Sequence, residues 1–203
     1  MKTQTITLLF VLVILLSESC KFNKDRDPLM LYKQIDTTST PNALTPLEKE
    51  KGWNLLFDGK TTSGWHGYNL KGFPDCWVIE DGVFTTTTRN ATESQDIITD
   101  KTYRSFALSL DFKLTIGTNS GVIFQVKEGS KYKFPYETGP EFQIIDQANW
   151  ADQLQNWQIM GANYAMYPPR AMPSRPLREW NHLMLVVDGN NVTQIINGVI
   201  VVE

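Results

Sequence analysis

Phe106-Ala107-Leu108-Ser109-Leu110-Asp111-Phe112-Lys113-Leu114 alternates without a break. Phe106, Leu108, Leu110, Phe112 and Leu114 are apolar, and Ala107, Ser109, Asp111 and Lys113 between them are small or polar. A period of two places the first set on one face of an extended chain and the second on the other. The stretch therefore reads as a β-strand with one face in a core.

The sequence on either side keeps the same period. Trp77–Glu80 and Val83–Thr86 flank Asp81-Gly82, and Asn191–Ile196 and Val199–Val202 flank Asn197-Gly198. Both dipeptides suit a type I′ turn, which needs positive φ at its two central residues, so each pair reads as a hairpin. Further short strands are expected from Gly121 to Val126, Glu141 to Ile145 and Leu183 to Val187. Many short strands with almost no helical periodicity give an all-β, antiparallel sandwich. The helical exceptions are Thr45-Pro46-Leu47-Glu48, a capping box that should run to about Lys51 and end at Gly52, and a turn or two in Ala151–Trp157. The chain stops at Glu203, directly after a strand. Either Val199–Val202 closes the sheet or the sandwich lacks its C-terminal closing strands.

The N-terminus reads differently. Lys2 precedes the apolar run Ile6–Leu16, and Ser17-Glu18-Ser19-Cys20 follows. The run is shorter than the ~20 residues that span a bilayer, so it reads as the hydrophobic stretch of an export signal. A small residue before Cys20 at that place fits a bacterial lipobox, with Cys20 as the lipidated N-terminus; an ordinary signal with an incidental cysteine is the alternative. Residues 1–20 are then a signal peptide, 21–44 a flexible tether and 45–203 the domain. The expected location is outside the cytoplasm, anchored to membrane through lipid, periplasmic or at the cell surface. Lys21-Phe22-Asn23-Lys24, which is not acidic, favours the periplasmic side.

Composition excludes several classes. The 203 residues carry a formal charge of −3 with no basic block, so the electrostatic footprint of nucleic-acid binding is missing. Cys20 and Cys76 are the only cysteines and His66 and His182 the only histidines, which form neither a disulfide framework nor a zinc pattern. Phosphate-binding loops, nucleophile elbows and metalloprotease helices are absent.

The richest polar cluster is Tyr136-Glu137-Thr138-Gly139-Pro140-Glu141-Phe142-Gln143-Ile144-Ile145-Asp146. On a strand, Glu141 and Gln143 share one face while Phe142 and Ile144 take the other. A carboxylate beside a carboxamide can hold sugar hydroxyls, and the carboxylate can accept a proton; a solvated outer face is the plain alternative. Gly121, after Asn119-Ser120, permits either a close backbone approach or a bulge.

The ordered motifs resemble the 3-keto-disaccharide hydrolase domain family. They are Gly52-Trp53-Asn54-Leu55-Leu56-Phe57-Asp58-Gly59-Lys60 with Gly64-Trp65, Trp77-Val78-Ile79-Glu80-Asp81-Gly82, Phe112-Lys113-Leu114, Asn119-Ser120-Gly121-Val122, Gly139 to Asp146, and Glu179-Trp180-Asn181 with Asn197-Gly198. The resemblance covers residues 52 to 203 and implies a concanavalin A-like jelly-roll sandwich and a role in bacterial glycan use. It implies cleavage of glycosides oxidised at C3, where the ketone acidifies the C2 proton and the C1 oxygen leaves by elimination. The expected roles are Glu141 as base or metal-binding carboxylate, Lys113 as enolate stabiliser, and His182 or Asp146 as acid. Gln143, Asn119 and Trp65 would bind substrate. A divalent metal held by Glu141 and Asp146 is an alternative electrophile, although strand alternation sets those two on opposite faces. The competing reading is a non-catalytic carbohydrate-binding lipoprotein with the same sandwich; a surface scaffold is a third.

Overall fold

The computed structural model describes residues 8–17, 27–86, 95–150 and 153–203. Its strands are β1 (Leu8–Ser17), β2 (Asn54–Leu55), β3 (Trp65–Gly67), β4 (Trp77–Glu80), β5 (Val83–Thr86), β6 (Ile97–Thr99), β7 (Phe106–Leu114), β8 (Asn119–Ile123), β9 (Glu141–Ile145), β10 (Trp180–Asp188), β11 (Asn191–Ile196) and β12 (Val199–Val202). Two short helices join them, α1 (Pro28–Tyr32) and α2 (Pro46–Glu50). The main sheet runs β12-β11-β10-β7-β1-β5-β4, with β2 on β1; β3 pairs β6, and β8 pairs β9. Every pairing among the described residues is antiparallel, as expected from the sequence.

The strand alternation of β7 sets the layers. Phe106, Leu110, Phe112 and Leu114 enter the principal core with Leu183, Leu185 and Val187 of β10. Phe142 and Ile144 of β9 close that core from the second layer, both fully buried. Each such side chain contributes about 1.5–3 kcal/mol by leaving water. Ala107 of β7 lies on the reverse face, in a second cluster with Met184, Val186, Trp53, Leu31 and Ile35.

Both expected hairpin turns form. Asp81 and Gly82 take φ of 52° and 77°, and Asn197 and Gly198 take 48° and 80°. The capping box also forms: Thr45 accepts from the Glu48 N–H, the Glu48 carboxylate accepts from the Thr45 N–H, and Gly52 at φ 89° follows the helix.

Four expectations differ from the structure. Residues 27–44, read as a tether, are packed: Leu31 and Ile35 are buried in the reverse-face cluster. The polar run from Asp36 to Asn42 is mostly exposed, but the apolar side chains just before it secure the segment. The β8 strand ends at Ile123, short of Val126. No helix forms at 153–157 among the described residues. Finally, the run Ile6–Leu16, read as the hydrophobic stretch of an export signal, overlaps β1 (Leu8–Ser17), which pairs from Leu8 opposite Leu114 to Ser17 opposite Phe106. Period alone does not separate such a run from a buried strand. The lipidation candidate Cys20 lies outside the described residues.

Candidate active site

The β8–β9 hairpin builds one wall of a cavity of about 1110 Å³. In its register Gly121 faces Gln143 and Ile123 faces Glu141. Residues directly opposite in an antiparallel pair share a face, so Asn119, Gly121, Glu141 and Gln143 look into the cavity together. Phe142 and Ile144 anchor the other face in the core. The backbone of Gln143 is held from the far side by Ala162 and Gly161, at 2.9 and 3.0 Å. Its side-chain oxygen accepts from the Ile144 N–H at 2.9 Å, which makes its NH2 end the donor it can offer a ligand.

Glu141 is the chemically tuned group. Burial, and secondarily the negative charge of Asp96, pushes its pKa up to about 7. Asp96 lines the same cavity, and burial raises its own pKa. Its backbone is fixed where its carbonyl accepts from the Tyr68 N–H at 2.9 Å. Two carboxylates in one recess, one poised near neutrality, suit proton transfer. Lys101 is the cation among the described lining residues.

Trp65 also lines the cavity, where its Nε1–H donates to the Leu56 carbonyl at 2.7 Å and its ring meets Phe84 edge-on at 5.8 Å. It is a fixed wall. Asn119 is exposed at the cavity edge.

Lys113, His182 and Asp146 are not brought to Glu141. Strand alternation sends Lys113 to the reverse face, where its Nζ lies 4.7 Å from the Trp180 ring centre. His182 is on that face too: Nδ1 is 2.7 Å from Asp111 Oδ1 and Nε2 is 3.0 Å from Ser109 Oγ. The connectivity copies a nucleophilic triad, but Ser109 is wholly buried and Tyr32 lies edge-on over the imidazole at 5.1 Å. The trio ties β7 to β10. Asp146 is buried as a loop anchor, its carboxylate accepting from the N–H groups of Gly117 and Asn149. Glu141 and Asp146 therefore form no joint metal site, and no group of three or more His, Cys, Asp or Glu gathers among the described residues.

Asp96 and Lys101 carried no signal in the sequence. Neither sits in a motif, and only the approach of the β6 region to β9 gives them a role.

A flap between β8 and β9, residues 124–140, borders the cavity through Val126, Tyr136 and Thr138. It is pinned by His66, whose Nδ1 is 2.7 Å from Asp100 Oδ1 and whose Nε2 is 3.1 Å from Glu128 Oε2. Asn69 adds backbone and side-chain bonds to Glu128, Gly129 and Tyr132.

Residues 52–203 match the sequence model of the 3-keto-alpha-glucoside-1,2-lyase-like domain. A Bacteroides thetaiotaomicron protein named 3-keto-disaccharide hydrolase is 30% identical over 171 residues, covering 76% of this chain and 59% of that protein. The chain thus spans less than two thirds of that relative's length. A crystal structure of a proposed glycosyl hydrolase from Parabacteroides distasonis shares 39% identity at a TM-score of 0.74, covering 79% of this chain and 75% of that one. A second proposed glycosyl hydrolase of the same organism shares 28% identity at a TM-score of 0.54, covering 68% and 70%. The match across three quarters of the sequence, in a sandwich that sets Glu141 in a cavity, leads to one conclusion: the chain belongs to the 3-keto-alpha-glucoside-1,2-lyase-like domain family.

Proposed function

We propose that the protein cleaves the glycosidic bond of 3-keto-glycosides, 3-keto-disaccharides among them, by elimination across C1 and C2. The observation that carries this reading is the part-buried Glu141 carboxylate in the cavity, kept basic to about 7 by desolvation and by Asp96. A carbon acid needs a base stronger than an ordinary carboxylate, and tuning a Glu toward neutrality supplies it.

Glu141 takes the C2 proton. The C–H electrons move toward the C3 ketone, forming an enolate whose oxygen accepts from the Gln143 NH2, with the Lys101 cation lining the same cavity. Those electrons then return to form the C1–C2 double bond as the C1–O bond breaks. The Glu141 carboxylic acid gives its proton to the departing oxygen, so the base is regenerated. Water adding across the new double bond completes a net hydrolysis. Asp96 acts through its charge, and Asn119 holds a ring hydroxyl.

The test is release of reducing sugar from a purified 3-keto-disaccharide, with an unsaturated keto sugar as the first product. Glu141→Gln should bind substrate and lose about 10²–10⁴-fold in kcat. Binding without turnover by the wild-type protein would instead support the carbohydrate-binding reading. Wild-type rates in Glu141→Gln would remove Glu141 from the chemistry.

We also propose that the protein is exported and anchored through acylated Cys20, on the strength of the apolar run and the small residue before that cysteine. Processing there would take β1 out from between β7 and β5. Metabolic palmitate labelling that Cys20→Ser abolishes would support the anchor. An unlabelled chain whose mass retains residues 1–20 would reject it.

A further inference from the structure

Large aromatic side chains left in solvent beside a cavity point to a ligand surface. Tyr136 is 60% exposed and Phe134 37%. Their rings stack at 5.0 Å and 13°, presented by a 3-10 turn at Pro135–Glu137. Tyr164 and Met166 are exposed as well, at 36% and 57%. Between them Ala165 holds φ 57°, a left-handed conformation that costs a residue with a Cβ about 1–2 kcal/mol. Such strain persists where the surroundings impose it, and it clusters at ligand sites. Gln125, at the base of the flap, is held at the same φ.

Tyr136, Tyr164, Ala165 and Met166 all line the cavity that holds Glu141. At about 1110 Å³ the cavity exceeds the ~300–1,000 Å³ usual for small-molecule sites, so one sugar ring leaves much of it empty. Polar groups accompany the aromatic surface. Gln125 and Thr138 line the same space, and the Tyr164 hydroxyl accepts from Gln158 Nε2 at 2.9 Å. A flat apolar face with hydrogen-bonding groups around it matches a pyranose, which has C–H faces and a hydroxyl rim.

We propose that Tyr136, backed by Phe134 and accompanied by Tyr164 and Met166, seats the second sugar ring of the substrate, the half that departs when the C1–O bond breaks. This rests on the assignment of Glu141 to the reacting ring. It makes Tyr136 a specificity residue: its contact is with the leaving sugar, so its value depends on that sugar being present.

The experiment compares a 3-keto-disaccharide with the methyl 3-keto-glucoside, which keeps the reacting ring and lacks the second. Tyr136→Ala should lower kcat/KM for the disaccharide about tenfold, as loss of a ring-stacking contact does, with the loss at least about fivefold larger than for the methyl glycoside. Tyr136→Phe should recover most of it. Equal losses on both substrates, or none on the disaccharide, would overturn the seat while leaving the Glu141 chemistry standing. Where the wild-type protein cleaves neither substrate, the Glu141 chemistry fails and calorimetry with the disaccharide decides the seat. Binding weakened about tenfold in Tyr136→Ala supports it, and binding that is absent or unchanged overturns it.

Discussion

The Glu141 side chain lies against the bare Cα of Gly121 on the neighbouring strand. A Cβ at Gly121 would stand 2.6 Å from Glu141 Cγ and 2.8 Å from its Cδ, inside any real contact distance. The φ of Gly121 lies outside the left-handed region, so side-chain space and not backbone freedom fixes glycine here. Gly121→Ala should fold, with a loss of about 1–3 kcal/mol, and should displace the carboxylate. The expected result is a fall in kcat of about tenfold or more, since small misplacements of a reacting group are costly. A crystal structure with Glu141 unmoved, together with unaltered kcat, would contradict this.

Glu141 should make the fold less stable as pH rises. Its folded pKa of about 7 stands above the ordinary 4.5, so the unfolded chain loses the proton first. Stability is then full below about 4.5, falls as pH rises toward 7 and is level above it. Glu141→Gln cannot ionise and should exceed wild type by about 1–3 kcal/mol at pH 8, while matching it near pH 4. Urea midpoints at the two pH values measure this. A difference independent of pH would show that burial of the charge is not its source.

Asp96→Asn should make Glu141 a weaker base. Removing the neighbouring charge leaves burial alone to lift the carboxyl, so the acidic limb of the kcat/KM profile should move to lower pH and the plateau should drop. A pH–rate series with wild type and variant checks both. An unmoved limb would separate Asp96 from the tuning of Glu141.

The flap should loosen with rising pH. Burial works against charge on His66, but its hydrogen bonds to Asp100 and Glu128 and their negative charges outweigh that and raise its pKa above 6.5. The clasp therefore contributes in full below about 6.5 and is lost as pH passes through the higher folded value. Protection factors at Lys127 and Gly129, which are exchange rates corrected for intrinsic base catalysis, should fall over that range and be low at all pH in His66→Asn. Protection factors independent of pH in the wild-type protein would show that the bonds from Asn69 and from the Tyr68 hydroxyl to the Lys127 carbonyl secure the flap without the His66 charge.

Much of the scaffold was legible because its signals are local. Alternation in β7, the Asp-Gly and Asn-Gly turns and the Thr45–Glu48 box each report geometry within a few residues. Glu141 and Gln143 were legible as a pair for the same reason, since a strand puts residues two apart on one face. The partners of Glu141 were not. Lys113 and His182 stand near it in the motif order, yet strand parity turns them to the reverse face. Asp96 and Lys101 reach the cavity only through pairing between distant segments, which leaves no local mark. The Leu8–Ser17 run shows the remaining limit, because an uncharged stretch of that length suits a buried strand and an export signal equally.

Strands β7 and β10 are direct neighbours in the main sheet, although residues 115–179 separate them in sequence. Asn119, Glu141, Gln143, Tyr136 and Tyr164 all belong to that single excursion. Much of the cavity wall is thus encoded apart from the β7–β10 frame, with Trp65, Asp96 and Lys101 supplied from before β7. Substitutions, insertions or exchanges within the excursion can remodel which ligand is taken while the β7–β10 ladder keeps its hydrogen bonds. The lengthening itself carries little thermodynamic penalty, since loop-closure entropy grows only with the logarithm of loop length. Diversification of this protein's relatives should concentrate between its seventh and tenth strands.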